Sequence, residues 1–89
     1  MKRYRIVFVG RVQGVGFRFK SMEIARRLGL TGYVFNDYDG TVVMEVQGKV
    51  DRIEDLCQGL QEDRFIRIDK IFKTEMDLNK DEKGFTIGN

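Results

Sequence analysis

Among its 89 residues the sequence has no histidine, no proline, no tryptophan and a single cysteine. Without imidazole there is no Ser-His-Asp triad, no Cys-His pair and no histidine proton relay. One cysteine without histidine leaves no structural-zinc ligand set, which takes four nitrogen or sulfur donors. A lone cysteine forms no internal disulfide, which points to a reducing, cytoplasmic setting. Catalysis in such a chain falls to arginine, lysine, carboxylates, amides, hydroxyls or the backbone. Long apolar runs are missing too. Nothing approaches the roughly 18 residues of a membrane span, and Ile6-Val7-Phe8-Val9 is too short for a signal-peptide core.

What is present suits one domain over residues 1–89. Apolar residues make up 42% of the chain, and a chain of this size buries roughly 64% of its unfolded surface, enough for one core without a metal. The net charge of +2 conceals an uneven distribution. Residues 1–30 hold eight basic residues against the one acid Glu23, and residues 31–89 hold eight basic against thirteen acidic ones. A basic third suits either an anion site or a solvated basic face, with Arg26 and Arg27 complementing a helix C-terminus.

Hydrophobic periodicity divides the chain into seven elements. Tyr4–Val9 reads as a first strand, followed by a loop over Gly10–Gly16. Phe17, Ile24, Ala25 and Leu28 mark one face of a helix that Gly29 ends. Gly32–Asn36 is a second strand with Tyr33 and Phe35 on one face, and Asp37–Gly40 is a turn. Thr41–Gln47 is a third strand. Asp51-x-x-Glu54 resembles a capping box opening a second helix, with Val50, Ile53, Cys57 and Leu60 on its buried face. Alternation over Ile66, Ile68, Phe72, Thr74 and Met76 gives a fourth strand, Asn79–Lys83 a charged turn, and Phe85–Ile87 a last strand. The order predicts an α+β, ferredoxin-like βαββαβ sandwich: a mainly antiparallel sheet with two helices on one face and a short extra C-terminal strand. A right-handed crossover then makes the first two strands parallel with the third between them. Their C-terminal ends, and with them the glycine loop and Asn36, fall on one edge.

The segment Gly10-Arg-Val-Gln-Gly-Val-Gly-Phe-Arg18 carries the chemistry. A glycine-rich turn feeding a helix N-terminus gathers backbone N–H groups into an anion-binding concavity. Arg18 adds a planar, permanently charged fork suited to a phosphoryl group. The loop lacks the Gly-Lys-Ser/Thr of a P-loop and the third glycine of a dinucleotide fingerprint. By pattern alone it remains compatible with a plain strand-to-helix turn.

Three blocks taken together, Gly10–Arg18, Ala25-Arg-Arg-Leu-Gly-Leu30 and Gly32-Tyr-Val-Phe-Asn36 with Asp39-Gly40, closely resemble the acylphosphatase family. The patterns G-[RK]-V-Q-G-V-x-F-R and G-[WY]-V-x-N-x-x-D-G match throughout, with Tyr33 where Trp is common, and the resemblance extends over the whole chain. It departs at Asp63–Asp69, where relatives often have a Pro- and Gly-containing turn. The resemblance implies that Arg18 binds the substrate phosphate, that Asn36 positions the attacking water, and that the backbone of Val12, Gln13, Gly14 and Val15 forms the phosphate cradle.

What the resemblance implies is chemically consistent with the missing histidine. An acylphosphate leaves as a carboxylate, whose conjugate acid has a pKa of about 4, so no general acid is needed. A loose phosphoryl-transfer transition state requires in-line positioning and charge stabilisation, which amides and one arginine supply. The expectation is metal-independent hydrolysis with no cofactor, the water's proton passing to the substrate's own phosphate oxygens. Asp37 and Asp39 are read as turn formers and Cys57 as a core residue. The partners expected are a small acylphosphate and inorganic phosphate as product and inhibitor, for a cytoplasmic monomer binding neither nucleic acid nor membrane. Two alternatives remain: a domain repurposed for carbamoyl phosphate and, more remotely, an RNA-binding module of the same element order. The latter is disfavoured by the lack of aromatics in Thr41–Val46.

Overall fold

The computed structural model describes residues 1–88. Its elements are β1 (Lys2–Arg11), α1 (Phe17–Arg27), β2 (Thr31–Asn36), β3 (Val42–Gly48), α2 (Val50–Gln61), β4 (Arg67–Met76) and β5 (Phe85–Ile87). The strands form one sheet in the order β4-β1-β3-β2-β5. β3 pairs antiparallel with both β1 and β2, so β1 and β2 run parallel on either side of it. This is the expected ferredoxin-like α+β fold, and β5 adds to β2 in parallel. The ends of β1 and β2, at Arg11 and Asn36, therefore share one edge.

Alternation along the strands decides which face is covered. Ile6 and Phe8 of β1, Val34 of β2, and Val42, Met44 and Val46 of β3 are buried against Phe17, Ile24 and Ala25 of α1 and Ile53, Leu56 and Leu60 of α2. The rings of Phe8 and Phe17 meet at 4.9 Å and 59°, which fixes both ends of the loop between β1 and α1. Ser21 joins the packed face of α1 because its hydroxyl donates to the carbonyl of Phe17 at 2.8 Å. α1 ends where Leu30 N–H returns to Ala25 O at 2.8 Å and Gly29 takes φ +71°, the glycine stop that the sequence indicates. Cys57 is half-buried against this core, and burial pushes its thiol pKa up.

Two elements depart from expectation. The Asp51-x-x-Glu54 box does not cap α2: the helix begins at Val50, with Lys49 at the cap position and no side-chain cap bond. Since β3 runs on through Gly48, one residue separates strand from helix. Asp51 thus lies inside the first turn, its charge at the positive end of the helix dipole. The second departure is in β4. Val9 pairs with Lys70 but Gly10 with Ile68, leaving Asp69 as an extra, bulged residue. Ile66 and Ile68 pack towards the helices, but beyond the bulge it is Ile71, opposite Phe8, that does so. Phe72, placed by the alternation with Ile66 and Ile68, turns to the other face and is 57% exposed. A one-residue slip reverses every later side chain. The turn before β4 forms without proline, Asp63 Oδ1 accepting from Phe65 N–H at 2.8 Å.

The other face of the sheet carries an ionic network. Arg3, only 4% exposed, bridges Glu82 (2.7 Å) and Glu45 (3.0 Å), and Arg5 reaches the second Glu45 oxygen at 2.8 Å. Residues 77–84, expected to contain a local charged turn, instead cross this face from β4 at one edge to β5 at the other. Glu82 holds the crossing segment to β1. Gln47 holds it to β3, donating to Asn79 O at 3.1 Å and accepting from Asn79 N–H at 2.8 Å.

Candidate active site

The loop of residues 12–16 is anchored by Val12, whose side chain is buried in the core, and by Val15, which packs against that core. Between and after them the chain turns through Gly14 (φ +72°) and Gly16 (φ +81°), left-handed conformations that favour glycine. A Cβ at either position would meet nothing within 4 Å, so both border open space. Among the described residues, no protein acceptor takes a hydrogen bond from the N–H groups of Val12, Gln13, Gly14, Val15 or Gly16. α1 begins directly after them, with no acidic residue in its first turn. Five uncommitted N–H donors beside the positive end of a helix dipole suit an anion.

Arg18, half-buried in the first turn of α1, supplies the formal charge. Its Nη1 donates to the carbonyl of Gly88 at 3.1 Å, and Gly88 N–H donates to Val34 O at 2.7 Å. The side chain is thereby tied through one residue to β2, two positions before Asn36. Among the described residues no carboxylate lies within ion-pair distance of Arg18.

Asn36 ends β2 opposite Val42, on the helix-bearing side of the sheet. Its Oδ1 is buried and, among the described residues, has no hydrogen-bond partner. An orphaned amide oxygen costs roughly 1–3 kcal/mol, unless a polar guest satisfies it. The other such atom, Thr31 Oγ1, sits at the opposite end of β2.

Gln13 joins the loop to the segment after Asn36. Its Nε2 donates to Asp37 O at 2.6 Å and to Thr41 O at 2.9 Å. The sequence assigned only its backbone; the side-chain link is new. A carboxamide set among glycines and valines was the available signal. Gly88, which holds Arg18, carried no signal at all, since any residue supplies a carbonyl.

Asp37 and Asp39 are occupied in the turn. Asp37 Oδ1 accepts from Tyr38 N–H at 2.8 Å, and Asp39 Oδ1 accepts from the hydroxyl (2.7 Å) and N–H (2.9 Å) of Thr41. The Thr41 hydroxyl and N–H hold the Asp39 carboxyl below its ordinary range, making it a poorer base. Among the described residues no three His, Cys, Asp or Glu side chains are grouped to hold a metal ion, and no helix is long and apolar enough to cross a membrane.

Comparison with known proteins gives one family. The acylphosphatase family model matches residues 4–87. A curated acylphosphatase of Geobacillus kaustophilus is 39% identical over 88 residues, covering 98% of this chain and 94% of that relative. The crystal structure of acylphosphatase from Bacillus subtilis superposes with a TM-score of 0.91 at 31% identity, covering all of both chains. Full-length HypF, in a phosphate- and nucleotide-bound form, matches with a TM-score of 0.88 at 32% identity, over 99% of this chain and 12% of that one.

Proposed function

The chain belongs to the acylphosphatase family and hydrolyses acylphosphates; we propose that Arg18, Asn36 and the backbone of Val12, Gln13, Gly14 and Val15 carry out that reaction. The observation behind this assignment is a row of N–H donors without an acceptor among the described residues, at the same end of the sheet as Arg18 and the orphaned amide oxygen of Asn36. The N–H groups and the Arg18 fork hold the phosphoryl oxygens and take up charge that develops on them. Asn36 Oδ1 accepts a hydrogen bond from the attacking water and directs its lone pair in line with the departing carboxylate. The water oxygen bonds to phosphorus as the P–O bond to the acyl oxygen breaks, the electron pair of that bond leaves on the carboxylate, and the water's proton passes to a phosphate oxygen of the substrate. The low basicity of a carboxylate makes protonation of the leaving group unnecessary. The Asp37 and Asp39 contacts within the turn support leaving both out of the proton path. Amides and Arg18 supply the charge stabilisation that a metal would otherwise provide, so we read the hydrolysis as needing neither metal nor cofactor.

We read the 89 residues as one domain, acting as a cytoplasmic monomer with no nucleic-acid partner. The single apolar core supports the first reading, and the lone, half-buried thiol the second. The exposed edge of β4 is studded with Lys70, Lys73 and Glu75 and bent at Asp69, features that oppose strand-to-strand association. The central strands β1 and β3 place no aromatic on the uncovered face, where an RNA-binding module would stack bases. The test is hydrolysis of benzoyl phosphate, with and without chelator, beside carbamoyl phosphate, a phosphomonoester and the Arg18→Ala variant. Chelator-resistant turnover of benzoyl phosphate, lost in Arg18→Ala and absent with the monoester, is the expected result. Equal turnover in Arg18→Ala would overturn the site, and preference for carbamoyl phosphate would move the substrate assignment.

A further inference from the structure

We infer that the Gln13 side chain is a positioning residue that sets the distance between the phosphate cradle and Asn36, and so acts on turnover through Asn36 rather than on phosphate binding. This rests on the assignment of Asn36 to the attacking water. The geometry behind it is specific. Both Nε2 hydrogens are engaged, one on Asp37 O and one on Thr41 O, and a carboxamide nitrogen has only two. Those carbonyls belong to the two ends of the turn that follows Asn36. Asp37 N–H already closes that turn onto Thr41 O at 2.9 Å, and Gly40 N–H bonds Asp37 O at 3.1 Å. Gln13 therefore grips a preformed ring rather than a loose loop. Its own backbone lies in the cradle between buried Val12 and left-handed Gly14. One side chain thus spans the gap between the element that holds the phosphate and the residue peptide-bonded to Asn36.

A second side-chain connection between the two halves runs through Arg18, Gly88 and Val34, and it approaches β2 from before Asn36. Gln13 approaches from after it. Removing the Gln13 link leaves the cradle, anchored by Val12 and Val15, and the turn, closed by Asp37 N–H on Thr41 O, each intact but frees the spacing between them. A water held about 1 Å off line costs up to about 100-fold in rate, whereas binding of a phosphate by amides and Arg18 does not involve that water.

The test is a double-mutant cycle with Gln13→Met, which keeps side-chain length but has no donor, and Asn36→Ala. For benzoyl phosphate hydrolysis, Gln13→Met is expected to lower kcat by roughly 10- to 100-fold, with the inhibition constant of inorganic phosphate unchanged within about twofold. In the Asn36→Ala background the same substitution is expected to change kcat by less than about twofold, because interacting residues are non-additive. An equal loss of kcat in both backgrounds overturns the coupling while leaving the role of Asn36 intact. A parallel loss of phosphate affinity overturns it too, in favour of cradle collapse. If Asn36→Ala alone retains kcat, the water-positioning assignment fails and the inference with it. Should Gln13→Met not fold, Gln13→Asn takes its place in the cycle: one methylene shorter, it cannot span both carbonyls.

Discussion

The guanidinium of Arg18 donates to the carbonyl of Gly88 at 3.1 Å, so a residue of the first helical turn is held by one seventy positions later in the chain. The contact uses one of five donors of the fork, and the proposed mechanism assigns phosphate to the others. Replacing Arg18 with Ala removes both charge and fork, and kcat/KM for benzoyl phosphate is expected to fall by at least 10²–10³-fold. Arg18→Lys keeps the charge but cannot bond a carbonyl and a phosphoryl group in one plane. Recovery by lysine is expected to be less than about a tenth of wild-type kcat/KM. Full recovery would mean that charge alone suffices.

Asn36 has a different signature. In the proposed mechanism its orphaned Oδ1 directs water, not phosphate. Asn36→Ala is therefore expected to lower kcat by roughly 10²-fold while inorganic phosphate still inhibits at its usual concentration. Near-normal kcat in this variant would remove Asn36 from the mechanism.

Gly16 reports on the cradle's backbone. At φ +81° an alanine there costs roughly 1–2 kcal/mol, even though its Cβ meets no neighbour. Urea unfolding of Gly16→Ala is expected to show that loss, with weaker phosphate inhibition because the adjacent N–H groups re-aim. A variant as stable as the wild type would show that the loop has another accessible conformation.

The pH dependence of stability has an acid and an alkaline limb. Burial alone would raise the Glu45 carboxyl, but Tyr33, Arg3 and Arg5 beside it outweigh that and hold it below its ordinary value. A depressed carboxylate contributes fully above the ordinary range, and the contribution is lost as pH falls through the depressed value. Tyr33 is raised, first by burial and then by Glu45. Its contribution is full below the ordinary tyrosine value near 10 and is lost as pH rises through the raised one. Urea midpoints measured from pH 2 to 11 are expected to show both limbs. Glu45→Gln should flatten the acid limb and Tyr33→Phe the alkaline one. An acid limb unchanged in Glu45→Gln would relocate it to other carboxylates.

Most of this architecture was legible in the sequence because its signals are local. A 3.6-residue period from Phe17 to Leu28, strict alternation in Val42, Met44 and Val46, and Gly29 at a helix end each depend on a few neighbouring residues. Right-handed crossover then placed the glycine loop beside Asn36. The misreadings are where one residue's meaning depends on a distant partner. Nothing in Arg67–Met76 announces that Asp69 is bulged, because the bulge exists only relative to β1. Asp51-x-x-Glu54 reads as a cap only if the helix starts at Asp51, and the length of β3 decides that. In the site, backbone donors and Arg18 could be placed from the motif, whereas the Gln13 and Gly88 contacts depend on carbonyls, which no residue type marks.

The network on the uncovered face separates stability from activity. Arg3 is nearly buried between Glu45 and Glu82, and breaking such a pair by removing one partner costs about 3 kcal/mol. Arg3→Met is expected to lower Tm by roughly 15 °C and to leave kcat/KM at 25 °C unchanged. A loss of activity without a loss of Tm would show that the network reaches the site directly.

The segment of residues 77–84 is a belt across the sheet, buckled at Glu82 and Asn79, and it delivers β5 and Gly88 to the side of β2. The candidate site is thus completed by a part of the chain that first travels across the back of the sheet. Folding of the back of the sheet is consequently a precondition for completing the site at its edge. Arg3, Gln47 and Glu82 serve it through the stability of the fold and not through contact with substrate.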